Sequence, residues 1–194
     1  ASVLHANNTI AGGEFHTLFI KSDGSLWAMG GNDEGQLGDG TDDNRTSPVQ
    51  IRSSGIISVA AGSKHSLYIE DNGSLWGMGS NDYGQLGIGN TDDQNTPVHI
   101  ATDVIAVAAG DSHTIFAKND GSLWVMGAGG QGRLGDGTSA QITLATQVGT
   151  YLDVVAVGAG SLHSLFVRSN GKLYGMGAND KGQLGIGNDA NQTI

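Results

Sequence analysis

Short apolar runs separated by glycine-rich polar segments recur along the chain, and this pattern predicts β-strands. Residues 16–20 and 25–29 are two such runs, with Asp23-Gly24 between them. Asp-Gly or Asn-Gly between apolar runs is the strongest short-range hairpin signal, and it predicts a type I′ turn with positive φ at both central residues. The same signal occurs three more times, at Asn72-Gly73, Asp120-Gly121 and Asn170-Gly171.

These hairpins belong to an internal repeat, which is the strongest feature of the sequence. A histidine opens the first run of each copy, at positions 16, 65, 113 and 163. Two more strands are predicted in each copy, one ending at an Ala-Gly corner before the histidine and one near a Pro-Val pair. The copies cover approximately residues 10–51, 59–100, 107–148 and 157–194 of a single domain, residues 1–194.

The strands carry large apolar side chains on both faces, as in Leu67-Tyr68-Ile69 and Leu165-Phe166-Val167. Successive side chains of a strand point to opposite faces, so a sheet built from these runs must be covered on both sides. A β-sandwich would leave one face polar. Four-stranded units stacked on copies of themselves satisfy the pattern, which predicts an all-β fold of propeller blades.

Composition excludes several classes of site. The chain of 194 residues contains 33 glycines, no cysteine and a formal net charge of −10. Without cysteine there is no disulfide framework, thiolate nucleophile or cysteine-type zinc site. The acidic balance argues against a nucleic-acid partner. No apolar run approaches 18 residues, so no membrane insertion is expected, and no cofactor is predicted.

The combined motif resembles the RCC1 (regulator of chromosome condensation) repeat. Each copy shows [Ala/Gly]-Gly-x-x-His-[Ser/Thr], then [Asp/Asn]-Gly-x-Leu-[Trp/Tyr], Met-Gly and Gly-[Gln/Arg]-Leu-Gly-x-Gly. The resemblance implies an RCC1-type β-propeller with one four-stranded blade per repeat. Family members include a small-GTPase exchange factor that docks on chromatin and a secreted bacterial β-lactamase inhibitor, which share protein binding through loops. Methionine stands where the family often has tryptophan, at residues 29, 78, 126 and 176.

The copies agree in alternating pairs. The residue inside Gly-x-Gly is Asp39 and Asp136 in the first and third copies, but Ile88 and Ile186 in the second and fourth. Duplication of a two-repeat unit explains this pattern and favours an even-numbered ring. We therefore expect a homodimer that closes an eight-bladed ring, or a four-repeat part of a longer chain. Residues 1–9 could complete the last blade.

The residues repeated in every copy are interpreted as structural. The histidines either fix a turn by hydrogen bonding to backbone or, as the alternative, ring a metal on the axis; the first interpretation is preferred and no metal site is predicted. The periodic aromatics are expected in the core between blades. These residues are His16, His65, His113, His163, Trp27, Trp76, Trp124 and Tyr174.

Two other motifs invite a ligand. Gly-Gln-Leu-Gly-x-Gly resembles a phosphate cradle, but no helix follows it to supply N–H donors. The acidic loops around Asp39, Asp42–Asp43 and Asp92–Asp93 lack the spacing of a calcium loop. We expect the first motif to be structural and the acidic loops to be solvated.

Specificity is expected where the copies differ. Apolar side chains stand at Phe15, Tyr83 and Leu162, where other copies have polar groups, and exposed aromatic residues are typical interface anchors. The candidate partner-binding residues flank the repeated histidine or precede the Gly-Gln-Leu-Gly motif. They are Phe15, Lys64, Asp111 and Leu162, and Glu34, Tyr83, Gln131 and Lys181.

No catalytic constellation stands out from the repeat, so we predict no enzyme but a non-catalytic module that binds a protein partner through loops on one face of a propeller. The main alternative is a secreted enzyme inhibitor. Glycan binding and small-GTPase exchange are further alternatives, and exchange is disfavoured because no insertion interrupts the repeats. Composition suits a secreted or cell-surface bacterial protein, with a cytoplasmic location left open.

Overall fold

The structure, a computed structural model, describes residues 8–194 and contains four consecutive antiparallel sheets. In each sheet the strands pair in chain order, so each is a simple meander. The first sheet contains β1 (Ile10–Gly12), β2 (His16–Ile20), β3 (Leu26–Gly30) and β4 (Arg45–Arg52). The second contains β5 (Ile56–Ala61), β6 (His65–Glu70), β7 (Leu75–Gly79) and β8 (Gln94–Ala101).

The third sheet contains β9 (Val104–Ala109), β10 (His113–Lys118), β11 (Leu123–Gly127) and β12 (Ile142–Val148), with a single 3₁₀ turn at Gly130–Gly132. The fourth contains β13 (Val154–Ala159), β14 (His163–Arg168) and β15 (Leu173–Gly177). A bridge between Gly177 and Gln192 stands where the other sheets begin their fourth strand. The prediction of an all-β chain built from blades is confirmed. No helix among residues 8–194 has the length and apolar character to span a membrane.

The hairpins lie where predicted, but the predicted type I′ turn is wrong. Gly24 has a φ of 78°, whereas the φ of Asp23 is not positive. Gly24 N–H donates to Lys21 O (2.9 Å) and Lys21 N–H donates to Ser25 O (3.0 Å), which defines a three-residue loop ending in a glycine bulge. The Asp23 carboxylate accepts hydrogen bonds from the Ser25 N–H and hydroxyl, and this holds the turn.

Neighbouring blades pack face to face. Leu18, Leu26 and Leu37 of the first blade are fully buried against Val59 and Met78 of the second. The next two junctions repeat this arrangement with their own residues. The strand faces are apolar on both sides because an interior blade has a neighbour on each side.

The two ends of the array remain open among residues 8–194. Leu173 is 63% exposed, whereas its repeat counterparts Leu26, Leu75 and Leu123 are fully buried. At the other end, Ile10 is 68% exposed. Thr9 O accepts a hydrogen bond from Ile20 and Asn8 O accepts one from Val59, so this segment lies against the first two blades. The rest of the segment predicted to complete the last blade, residues 1–7, lies outside the described residues.

Candidate functional site

Two sets of loops lie at the same edge of the blades. One set joins the first strand of each blade to its second and carries [Ala/Gly]-Gly-x-x-His. The other joins the third strand to the fourth and carries Gly-[Gln/Arg]-Leu-Gly. Because each sheet is an antiparallel meander, these loops share one edge and the Asp/Asn-Gly hairpins lie at the other. We call the first edge the loop face and the second the hairpin face.

Beneath the loop face, a chain of two hydrogen bonds joins each blade to the next. His65 Nε2 lies 3.1 Å from Thr114 Oγ1 of the following blade, and that hydroxyl donates to Gln85 O at 2.8 Å. His16 makes the same contact with Ser66, and His113 with Ser164. The predicted role in fixing a turn through backbone therefore needs revision, because the ring reaches a side-chain hydroxyl of the next blade.

The hydrogen-bond pattern also determines where the imidazole proton lies. A Ser or Thr hydroxyl has one proton, and here it is given to a backbone carbonyl. The histidine Nε2 must therefore donate, which leaves Nδ1 without a proton. In all three rings Nδ1 is buried with no hydrogen-bond partner, and the ring edge lies where a Cβ of the preceding glycine would be.

Burial favours the neutral ring. It lowers the pKa of His16 from 6.5 to about 4 and the pKa of His65 and His113 to about 3. A proton on Nδ1 would place a charge in a dry site without an acceptor. These rings are therefore neutral connectors and not proton carriers at physiological pH. No group of three or more His, Asp or Glu side chains among residues 8–194 is arranged to hold a metal ion.

The first strands of successive blades lie side by side around the axis. Their loop-face ends form a ladder in which Glu14 N–H donates to Ser63 O, Ser63 N–H to Asp111 O, and Asp111 N–H to Ser161 O. The Ser63 hydroxyl donates to the Glu14 carboxylate, and the Ser161 hydroxyl donates to the Asp111 carboxylate. The acids, Glu14 and Asp111, lie in the first and third repeats, and the serines lie in the second and fourth. This is the same alternation that the sequence shows at other positions.

All eight predicted partner-binding residues lie on the loop face. Phe15 is 68% exposed and Tyr83 is 49% exposed, so neither ring is packed into its own loop. Lys64 Nζ pairs with Glu34 Oε1 at 3.0 Å across the first junction, and this hydrogen bond raises the pKa of Lys64. Gln131 and Lys181 are exposed on the third and fourth blades.

A cleft of about 390 Å³ brings three of these residues together. Tyr83 comes from the second blade, Asp111 from the third and Leu162 from the fourth. Arg133 also lines this cleft but is not among the predicted partner-binding residues; the available signal was that it replaces the glutamine of the other repeats. Ser112, Ser139 and Gln141 complete the polar part of the wall.

Three of the four periodic aromatic residues lie at the blade junctions, and Trp27, which was also expected there, does not. Trp76 packs on the cluster between the first two blades, Trp124 on the next and Tyr174 on the third. Each ring stacks on an aromatic residue of the neighbouring strand, with ring centroids 5.1–6.4 Å apart. Trp27 lies on the open face of the first blade, where Lys21 Nζ is 3.5 Å from its ring centroid.

The acidic loops are held by internal hydrogen bonds. Asp39 accepts hydrogen bonds from the Thr41 N–H and hydroxyl, and it pairs with Arg45 Nε at 2.6 Å. In the second blade Asn81 N–H donates to the Asp93 carboxylate at 2.6 Å. These carboxylates act locally on their own loops.

A family model described as an RCC1-like domain matches residues 2–194. The chain belongs to the RCC1-like domain family. Its structure is similar to that of human WBSCR16, with a TM-score of 0.84 and 25% identity over 95% of this chain and 51% of that chain. It also resembles Prp20p from Saccharomyces cerevisiae in fold, with a TM-score of 0.82 and 23% identity over 100% of this chain and 51% of that one.

A curated relative, the X-linked retinitis pigmentosa GTPase regulator homolog of Caenorhabditis elegans, is 50% identical over 48 residues, which is 25% of this chain and 4% of that protein. The chain thus spans about half the length of the two similar structures and a small part of the worm protein. The RCC1-like repeat and its propeller fold are therefore shared, while the activities of the whole relatives belong to longer proteins.

Replacing Thr114 by valine should destabilise the junction between the second and third blades. Valine keeps the shape but leaves His65 Nε2–H and Gln85 O buried without partners, at a cost of about 1–3 kcal/mol for each group. Thr114→Ser keeps the hydroxyl, and serine already stands at the equivalent positions 66 and 164, so its cost should be about 1 kcal/mol. Urea unfolding measures both; equal losses would show that the hydroxyl carries no stabilisation.

Mild acid should also destabilise the fold. Burial lowers the pKa values of the histidines in the folded protein below the unfolded value of 6.5. The free energy of unfolding is therefore at its full value above pH 6.5, and it decreases as the pH falls towards the pKa values of the folded protein. Between pH 7.5 and 5.0 each of the three rings should remove about 2 kcal/mol of unfolding free energy. His65→Gln should lose about one third less than wild type over this range in urea unfolding. An unfolding free energy that is constant over the range would contradict the assignment.

Proposed function

We propose that this chain is a non-catalytic interaction module whose loop face binds a partner protein. The observation that carries the proposal is the separation of constant and variable positions. The repeated residues form the junctions, and the eight candidate partner-binding positions, which differ between copies, lie together on the loop face. Phe15 and Tyr83 stand exposed there, while Leu162 is half-buried in the cleft beside Tyr83.

The chemistry of the loop face supports binding more than catalysis. The three buried histidines are committed to the junctions through Nε2. Aromatic and apolar side chains surrounded by polar loops are the composition of protein interfaces. Yeast Prp20 has been crystallised with Kap60 and binds Gsp1p and histones, and we extend to this chain only the general property of binding a protein.

A triple variant, Phe15→Ala with Tyr83→Ala and Leu162→Ala, tests this proposal. Affinity capture followed by quantitative mass spectrometry should identify a protein that wild type retains and that the triple variant loses by tenfold or more. Leu152→Ala is the matched control, because Leu152 is 69% exposed beside the hairpin at Gly121 and away from the loop face. The identified protein should then bind purified wild type in calorimetry.

Two results would contradict the proposal. One is equal recovery of every captured protein by wild type and the triple variant. The other is a glycan, found on an array, whose binding is abolished by the triple variant while no protein depends on it. That second outcome would assign the same face to the glycan-binding alternative. Circular dichroism of each variant ensures that a loss of binding is not a loss of fold.

We further propose that a second copy of this chain closes the ring. At each internal junction a glycine accommodates a methionine of the next blade, as Gly135 does for Met176. In the fourth blade Gly185 has no atom within 4 Å of a Cβ position, and His163 contacts no hydroxyl among residues 8–194. The first blade offers Thr17 and Met29 at the matching positions, so a second copy joined head to tail would supply both contacts; in a longer chain, further repeats would do so.

Light scattering over a dilution series tests the ring. The chain mass is 19.8 kDa, and the proposal expects a species of twice that mass. Leu173→Asp should shift the equilibrium to monomer, because it places a charge on the end face while leaving the internal junctions untouched. A wild-type protein that stays monomeric at all concentrations would rule out closure by a second copy.

A further inference from the structure

The third repeat departs from the other three on the loop face. In the first, second and fourth copies an asparagine braces the long loop, and its side-chain oxygen accepts the N–H of the repeated leucine, as Asn81 does for Leu86 at 2.9 Å. The third copy has Gly129 there. A Cβ on Gly129 would lie 1.7 Å from Ala140 O, so the loop has closed onto the glycine backbone. This rearrangement accompanies the cleft lined by Tyr83, Asp111 and Leu162.

Arg133 stands in this copy where the other three have glutamine. The glutamines brace their own loops, as Gln85 does by accepting the Tyr83 N–H at 2.9 Å and donating to the Ser80 hydroxyl at 3.0 Å. Arginine cannot accept a hydrogen bond, and Arg133 Nε instead donates to Gly130 O at 2.8 Å. Three copies of the same loop therefore form without an arginine, and the fold does not require one here.

Arg133 is mostly buried, and its charge is not paired in a salt bridge within residues 8–194. The residue is 9% exposed, and no carboxylate among residues 8–194 lies within 4.0 Å of it. The other three arginines have partners: Arg45 pairs with Asp39, Arg168 pairs with Asp153, and Arg52 donates to the Tyr68 hydroxyl. Burial lowers the pKa of Arg133, while the charge of the nearby Asp111 carboxylate acts to raise it.

Arg133 lines the cleft, and most of its donors have no partner among residues 8–194. A guanidinium carries five N–H donors, and only Nε–H is used within the described chain. The four N–H groups on the Nη atoms form the fork that matches a carboxylate in two parallel hydrogen bonds. Tyr83 and Leu162 provide apolar surface in the same cleft, and Ser112, Ser139 and Gln141 add polar groups.

Charge selects among the anions that a guanidinium can bind. Asp111 also lines the cleft, and the chain carries a formal net charge of −10. A phosphate with nearly two negative charges would be repelled more strongly in these surroundings than a carboxylate with one. The apolar surface of Tyr83 and Leu162 would contribute nothing to a bare ion, but it fits the side chain of a residue next to an acid.

We propose that this cleft binds an aspartate or glutamate side chain of the partner protein, with the Arg133 guanidinium holding the carboxylate and Tyr83 and Leu162 packing on an adjacent apolar residue. This inference rests on the proposed function and specifies the partner's chemistry at one point of the loop face. Arg133 is the anchor of this interaction, and it stands where the other three repeats have glutamine.

Nuclear magnetic resonance titration of the full chain tests the proposal with two blocked dipeptides, acetyl-Leu-Glu-amide and its neutral counterpart acetyl-Leu-Gln-amide. The acidic peptide should shift the Arg133 Nε–Hε resonance and the backbone amides of Ser112 and Ser139, with a dissociation constant in the millimolar range. The neutral peptide should bind at least tenfold more weakly. Equal binding of the two would overturn the carboxylate assignment.

Arg133→Gln is the decisive variant because it restores the residue found at positions 36, 85 and 183. It should fold like wild type and bind the acidic peptide at least tenfold more weakly. Lys172→Gln removes the same charge from the hairpin face and should bind like wild type. Unchanged binding by Arg133→Gln would contradict the proposal, as would stronger shifts with inorganic phosphate or with acetate alone, since these would indicate a site for a free anion.

The outcomes separate this inference from the proposed function. If a partner protein is lost by the triple variant but retained by Arg133→Gln, the loop face is an interaction site and the carboxylate assignment is wrong. If the acidic peptide binds through Arg133 but no protein depends on the loop face, the cleft recognises carboxylates and the proposed function fails. Loss of both partner and peptide in Arg133→Gln supports both.

Discussion

The hydrogen-bond chain from a histidine to the hydroxyl of the next blade, and from that hydroxyl to a backbone carbonyl, is the constraint on which the other features depend. It places an imidazole against a glycine that has no room for a side chain, and it requires Ser or Thr one position after the next histidine. It also fixes the carbonyl of the glutamine or arginine in the long loop. The repeated residues around each junction therefore act together to join one blade to the next.

These hydrogen-bonded junctions leave the residue types on the loop face free to vary between repeats. Because the ring and the hydroxyl lie beneath the loops, residues such as Phe15, Lys64 and Tyr83 project from a fixed base without taking part in it. Blades that are rigid at their junctions present exposed side chains at reproducible positions, as a binding surface requires. Arg133 holds a junction through its carbonyl, and its Nη donors remain without partners among residues 8–194.

The fold was predictable because periodicity identifies both the strands and the faces that they bury. The partner of each histidine was not, since Thr114 lies 49 residues after His65 and their contact exists only once two blades are stacked. The turn type was also missed, because the Asp23 side chain stabilises a turn with negative φ that the Asp-Gly pair alone does not reveal. The cleft joins Tyr83 and Leu162 from different blades, and no local pattern records that proximity.

The protonation state of the three buried histidines tests the central claim most directly. A long-range ¹H–¹⁵N correlation spectrum of the imidazole nitrogens at pH 5.5 should show His16, His65 and His113 neutral with the proton on Nε2, whereas an ordinary histidine is mostly protonated at this pH. Rings that are cationic at pH 5.5, or neutral with the proton on Nδ1, would contradict the hydrogen-bond chain that joins the blades.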